Sequence, residues 1–339
     1  MISKKKEVFM WILCLVLPLV LLIISLFVGR YDFTLADIAD ILIHPEAWKN
    51  NPDTAIQFSV IYEMRLPRAL MAFVVGGALA ISGGAQQSMF RNPLVDSGML
   101  GVSAGAGFGA CVAIVLFGQN FMIYILSFVF GILAMALSYM VGKIYDTSPT
   151  VTLVLGGVVV SSIFSALVSF VKYVADPLEK LPTITFWLMG SLSRANFQDL
   201  LMVLVPIVPS IAIIILLRWR LNILSLGEKD AIALGVNINQ VRGIIMICTS
   251  VATAAAVCVS GTIGWIGLIV PHIVRMMVGN DNRILLPCSL AIGGSFLMAI
   301  DLMARSMSSA EIPIGVLTAI IGGPFFVLIL QRTKGGGSW

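Results

Sequence analysis

Residues 8–28 of this chain form an apolar run broken only by Pro18 and Ser25, and nine further apolar runs follow it. The hydrocarbon layer of a bilayer is about 30 Å thick, and roughly 20 residues of α-helix cross it. Inside it, every backbone N–H and C=O needs a partner within the protein, which leaves helices or a closed barrel. Runs of this length select helices. The pattern predicts spans at residues 8–28, 66–85, 99–117, 121–141, 151–171, 200–217, 243–260, 265–278, 284–300 and 312–330. The eighth is short and is interrupted by Pro271, His272 and Arg275. Only 11% of residues are charged, against about 25% in soluble domains, so the chain has too little polar surface to cover a soluble globule. The expected fold is an all-α integral membrane protein with about ten transmembrane helices, forming one transmembrane domain over residues 1–339.

A signal peptide is the competing reading of the first run, but about 21 apolar residues is long for one and no small-residue cleavage site follows. An even number of spans puts both termini on one side. Alternating the loops gathers most of the 21 Lys and Arg residues there, among them Lys4–Lys6, Lys143, Arg218, Arg242 and Lys334. The positive-inside rule makes that side cytoplasmic. Residues 30–65 and 172–199 become external loops, with short interfacial helices expected at 35–43 and 183–192. The motifs Ala78–Gly83 and Ala256–Gly261 close spans 2 and 7, five spans apart. That odd offset points to an inverted repeat relating helices 2–5 to helices 7–10.

The cytoplasmic segment 222–242 is the largest polar insert on its side. Ser225 and Glu228 have capping-box spacing, and Gly235 supplies a left-handed helix stop. The helix between them is about two turns long and needs a surface for Ala231, Ile232 and Leu234. That surface is either the chain's own bundle or a separate soluble protein.

Chemistry is sparse. The five cysteines lie in apolar runs without metal-ligand spacing and read as small hydrophobes. Gly101-Val-Ser103-Ala-Gly105 fits the nucleophile-elbow pattern, which requires a strand–turn–helix setting. Its continuation to Gly109 reads better as a small-residue stripe for close helix packing. His272 is expected to be structural. Gly142-Lys143 fails as a phosphate loop, because Leu137 precedes it and Ile144 follows. Ion-coupled carriers place ionisable groups within their spans, and here Asp301 and Arg305 fall only at the outer end of span 9. A carrier with neither an ion relay nor a nucleotide site takes its driving force from another protein, and segment 222–242 is where that force would enter. A self-contained secondary transporter remains the alternative.

Six blocks then occur in a characteristic order. They are Arg65-Leu-Pro-Arg68, Asn92-Pro-Leu with Leu100-Gly-Val-Ser, Phe186-Trp-Leu-Met-Gly190, Leu224-Ser-Leu-Gly-Glu with Leu234-Gly235, Ile266-Gly-Leu-Ile-Val-Pro-His272, and Glu311-Ile-Pro-Ile-Gly315. In these the chain resembles the FecCD-type permeases of ABC importers, the vitamin B12, haem and iron–siderophore uptake family, from about residue 10 to 332. The resemblance implies a homodimer with the pathway on its axis, two cytoplasmic ATP-binding subunits that use ATP-Mg, and an external substrate-binding protein. No cofactor is expected on this chain.

Site residues follow by position. The resemblance implies ATPase contact at Leu226, Gly227, Glu228, Ala231, Leu234 and Gly235. It implies docking of the binding protein at Arg65, Arg68 and Arg305; lipid anchoring, or pairing with Glu63, Asp301 or Glu311, is the alternative. It implies a pathway lined by Ser161, Ser162, Ser165 and Ser169, where ordinary serine–backbone bonding is the alternative. The cargo expected first is an iron(III)–siderophore, then haem or a corrinoid, with molybdate as the different-cargo reading.

Overall fold

The computed structural model describes residues 4–29, 31–96, 98–142, 149–308 and 310–333, and every regular element among them is helical. Arg30, Lys143 and Lys334, which entered the loop assignment, lie outside the described residues. Helix α1 is Lys4–Phe27, followed by the short helices α2 (Leu35–Ile43), α3 (Pro45–Lys49) and α4 (Ala55–Phe58). A π-helical turn, Ser59–Arg65, leads into α5 (Leu66–Phe90). Then come α6 (Val102–Phe117), α7 (Met122–Gly142), α8 (Pro149–Val174), α9 (Lys180–Leu188) and α10 (Phe197–Leu216). The rest are α11 (Arg218–Leu226), α12 (Glu228–Ala233), α13 (Ile238–Ser260), α14 (Ile266–Val278), α15 (Asn282–Ser306) and α16 (Ile314–Thr333). Among the described residues, 7 helices are long and apolar enough to cross a membrane, and α6, α14 and α16 are shorter apolar helices. Together they fill the ten expected spans. The external helix expected at 35–43 is α2, opened by a reciprocal capping box between Thr34 and Asp37.

The core lies where α5, α13, α14 and α15 meet. Of these, α5, α13 and α15 are rich in Gly, Ala and Ser, and α5 is buried without a break from Val75 to Phe90. Small side chains let helix axes approach closely, which replaces the hydrophobic drive that lipid cannot supply. The outer helices do the reverse: α1 exposes Phe9, Leu15 and Ile23, and α10 exposes Leu201 and Val205. Apolar side chains that would be misplaced in water face lipid here.

Helix α5 runs five residues beyond the expected end of the second span at 85, and Gln86, Gln87 and Ser88 are buried near its end. Each finds a partner on a neighbouring helix. Gln86 Nε2 donates to Thr249 Oγ1 at 2.9 Å, Gln87 Nε2 to Leu268 O at 3.1 Å, and Ser88 Oγ to Asn282 Oδ1 at 2.6 Å. A buried polar group is stable only when such bonds are made, so the amides and hydroxyl act as cross-links. Arg91 ends the helix in the left-handed region, with φ 53°.

The stripe Gly101–Gly109 resolves into two functions. A Cβ at Gly105 would strike Phe130 O, and one at Gly109 would strike Leu126 O, so α7 lies directly on both. Gly101 instead serves as the N-cap of α6, with φ 81°.

Candidate functional site

The cytoplasmic segment is built differently from its sequence signature. Ser225 does not cap a helix. It lies inside α11, where its Oγ donates to Leu221 O at 2.9 Å. The chain breaks two residues later, at Gly227 (φ 133°), and α12 starts without a side-chain cap. Glu228, freed from capping, accepts from Arg242 Nη2 at 2.8 Å and ties α12 to α13. The stop at Gly235 is as expected: with φ 75°, Gly235 N–H reaches Ile232 O at 2.9 Å and Val236 N–H reaches Ala231 O at 3.0 Å. Those two bonds are the Schellman pattern.

Burial sorts the expected contact residues. Ala231 is fully buried and faces the chain's own core, so it seats α12 and is not a surface contact. Leu226, Ile232 and Leu234 are 61%, 67% and 60% exposed. Three large apolar side chains therefore stand in water within nine residues, on a segment whose inward face is already satisfied.

Beneath them runs a polar chain that the sequence reading missed. Asn222 Nδ2 donates to Asp281 Oδ1 at 2.7 Å, and Asn222 Oδ1 accepts from Asn282 N–H at 2.8 Å. Asn282 Oδ1 in turn accepts from Ser88. The chain links α11 to the start of α15 and the end of α5. Hydrogen bonds from Arg283, with a further one from Asn222, hold the Asp281 carboxyl at about 2, against burial pushing it up. Asp281 immediately before an apolar run was a legible helix cap, but its partner 59 residues away was not.

On the outer side the three arginines are engaged within the chain. Arg65 donates to Leu26 O at 2.6 Å, Phe27 O at 3.0 Å and Tyr31 O at 2.9 Å, and its guanidinium lies over the Phe33 ring. Arg305 donates to Ser25 O at 2.5 Å and to Ser25 Oγ at 2.7 Å. The last carbonyls of α1 are orphans of helix geometry, and cations suit that end of the helix dipole. Arg65 and Arg305 thus form the C-terminal cap of α1, and Arg305 Nε also lies 3.9 Å from Asp301 Oδ2. Arg68 bonds both oxygens of Asp301 through Nε, at 3.0 and 3.1 Å, and both oxygens of Glu311 through Nη1 and Nη2. The pairing alternative holds for Arg68. Asp301, at the outer end of the ninth span, is 1% exposed.

Helix α8 touches its own chain along one strip, with Leu153, Val160 and Phe164 buried. Ser162, Ser165 and Ser169 lie on its exposed side, and Ser161 is half-buried near Gly101. Ser162 Oγ donates to Val158 O at 2.9 Å and Ser169 Oγ to Ser165 O at 3.0 Å. Backbone bonding and exposure therefore coexist. Ser165 also borders a small cleft of about 230 Å³ with Ser103, Gly107 and Thr262.

The model of the FecCD transport family matches residues 16–332. The molybdate import system permease protein MolB of Haemophilus influenzae is 41% identical over 93% of this chain and 93% of its own. A probable iron chelatin transport system permease protein of Helicobacter pylori is 37% identical over 93% of this chain and 96% of its own. A chain solved as an inward-facing conformation of a metal-chelate type ABC transporter superposes with a TM-score of 0.85. It is 38% identical, over 97% of this chain and 100% of that one.

Proposed function

The chain belongs to the FecCD transport family, and on that premise we propose that it works as a homodimeric, ATP-driven importer of a metal chelate. The family consists of permease subunits of ABC importers, multi-pass proteins of the inner membrane, and this chain is one of them. Two copies would enclose a pathway on their common axis, with the exposed serine side of α8 facing it. Two separate ATP-binding subunits would supply the energy from ATP-Mg, and an external binding protein would deliver the cargo. The chain itself would hold no cofactor.

One observation carries this reading. Leu226, Ile232 and Leu234 are exposed on a cytoplasmic segment whose other face is bonded to α13, α15 and α5. Exposed apolar groups on the water side mark a protein contact, and the hydrogen bonds behind them pass a displacement into the bundle. Glu228 contributes by holding α12 against Arg242, Gly227 and Gly235 by permitting the turns, and Ala231 by seating the helix. The acidic partner for the binding-protein contact would be received around Arg68, whose second partner, Glu311, is 40% exposed.

The cargo we favour is an iron(III)–siderophore, with haem or a corrinoid next. The second reading is molybdate, and the 41% identity to MolB favours it. Proteoliposomes test the whole proposal. Uptake is expected only with the ATP-binding subunits, the binding protein and ATP all present. Solute accumulation by the chain alone under an ion gradient would show a secondary carrier instead.

A further inference from the structure

A cavity of about 730 Å³ opens on the outer side, between the α6–α7 turn, α9, residues 191–194 and residues 310–313. We propose that it binds an anionic, aromatic, oxygen-donor metal chelate of the catecholate class. This rests on the importer reading and narrows its cargo.

The cavity is pre-formed. Three stretches of backbone are bonded together at its floor: Ser191 N–H to Ser260 O at 2.8 Å, Ile314 N–H to Gly190 O at 3.0 Å, and Gly315 N–H to Met189 O at 3.0 Å. Its volume falls within the roughly 300–1,000 Å³ of sites that take drug-sized molecules. A bare tetrahedral oxyanion would leave most of it empty, whereas a chelate of several rings would fill it.

The walls are aromatic. Tyr124 and Trp187 line it, as do Phe121 and Phe186, which are 58% and 68% exposed. Rings at the edge of an open polar cavity are stacking surfaces for planar ligand groups. Gln119, Thr183 and Ser193 add donors and acceptors for oxygen-rich groups.

The lining carries one cation, Arg194. Arg194 is exposed and makes no ion pair among the described residues. Glu311 also lines the cavity; it shares Arg68 with Asp301, and Arg305 lies 3.9 Å from Asp301, so two carboxylates and two guanidiniums balance in that cluster. What the ligand meets is an unpaired guanidinium, the group best shaped for paired anionic oxygens.

Two of the six sequence blocks, Phe186–Gly190 and Glu311–Gly315, have no part in the coupling segment or the serine face of α8. They meet here, one on each side of the cavity.

The test uses the permease with its ATP-binding subunits in lipid nanodiscs, and iron(III) tris-catecholate carrying radioactive iron. Wild type is expected to bind the complex, and excess molybdate to leave it bound. Arg194→Gln should weaken binding about tenfold, equivalent to about 1.4 kcal/mol, and Arg194→Lys less. Trp187→Phe, which keeps a ring, should weaken it less than Trp187→Ala. Arg194 is exposed, so its substitution leaves the fold intact. Equal binding by wild type and Arg194→Gln, or displacement of the complex by molybdate, would overturn the proposal. Uptake by the complete system separates the two claims. Chelate transport with a KM unchanged in Arg194→Gln removes the cavity and leaves the importer, whereas wild type that transports no chelate of any class removes the importer reading itself.

Discussion

Arg68 and Asp301, 233 positions apart, meet in a forked ion pair in which Nε lies 3.0 Å from one carboxylate oxygen and 3.1 Å from the other. The pair joins the outer end of α5 to that of α15. Its side chains are 12% and 2% exposed, while Glu311, on the far side of the same guanidinium, is 40% exposed. Depth decides what each carboxylate is worth.

Asp301→Ala takes away the buried partner of Arg68 and leaves only Glu311, so buried donors lose their acceptor and the protein should be destabilised by about 1–3 kcal/mol. Glu311→Gln breaks a half-exposed, solvent-screened pair and should cost under about 1 kcal/mol. Thermal unfolding in detergent reads both. Equal losses would mean that the two carboxylates sit in equivalent environments.

Glu311→Gln should also act on docking. If Arg68 receives an acidic group from the binding protein, Glu311 competes for it, and its removal should tighten docking severalfold and steepen the salt dependence. Unchanged affinity across ionic strengths would take Arg68 out of the contact.

On the cytoplasmic side, Leu234→Asp puts a charge among the three exposed apolar residues. An apolar side chain of this size contributes about 1.5–3 kcal/mol when buried, so partner binding should fall at least tenfold and uptake per ATP with it. Gly235→Val tests the turn. No atom lies within 4 Å of an added Cβ, so its effect is the strain of φ 75°, about 1–2 kcal/mol. Normal coupling in both variants would reduce α12 to a connecting loop.

The latch at Asp281 has a definite pH signature. Its folded value of about 2 lies below the usual carboxylate range, which is near 3.9 in the unfolded chain. The stabilisation is therefore complete above about pH 4 and is lost as the pH falls through about 2. Hydrogen exchange at residues 282–285, corrected for intrinsic rates, should show protection failing only in that acid window. In Asp281→Asn that dependence should vanish.

The spans were legible because lipid imposes one rule on every residue facing it, and runs such as 8–28 and 121–141 obey that rule throughout. The ends of α5 and α15 were not. Gln86, Gln87 and Asp301 look like residues seeking water, and only the neighbours that satisfy them (Thr249, Leu268 and Arg68) show that they are internal. The same limit applies to Arg65 and Arg305: their charge was visible, but the α1 carbonyls they cap come from a segment about 40 and 280 positions away. Ser225 failed for a local reason. Capping-box spacing is satisfied equally by a serine inside one helix and a glutamate opening the next, and the break at Gly227 chooses between them. The helix stop at Gly235 needed only one residue's backbone, and it was read correctly.

Helix α8 meets its own subunit along a single strip, and hydroxyls stud the side it leaves open. Exposed Val158, Ile163 and Phe170 lie among them, and Ser162 and Ser169 bond their own backbone, so lipid can cover that side. In the pairing proposed above, a second copy would replace that lipid with protein and strand no hydroxyl.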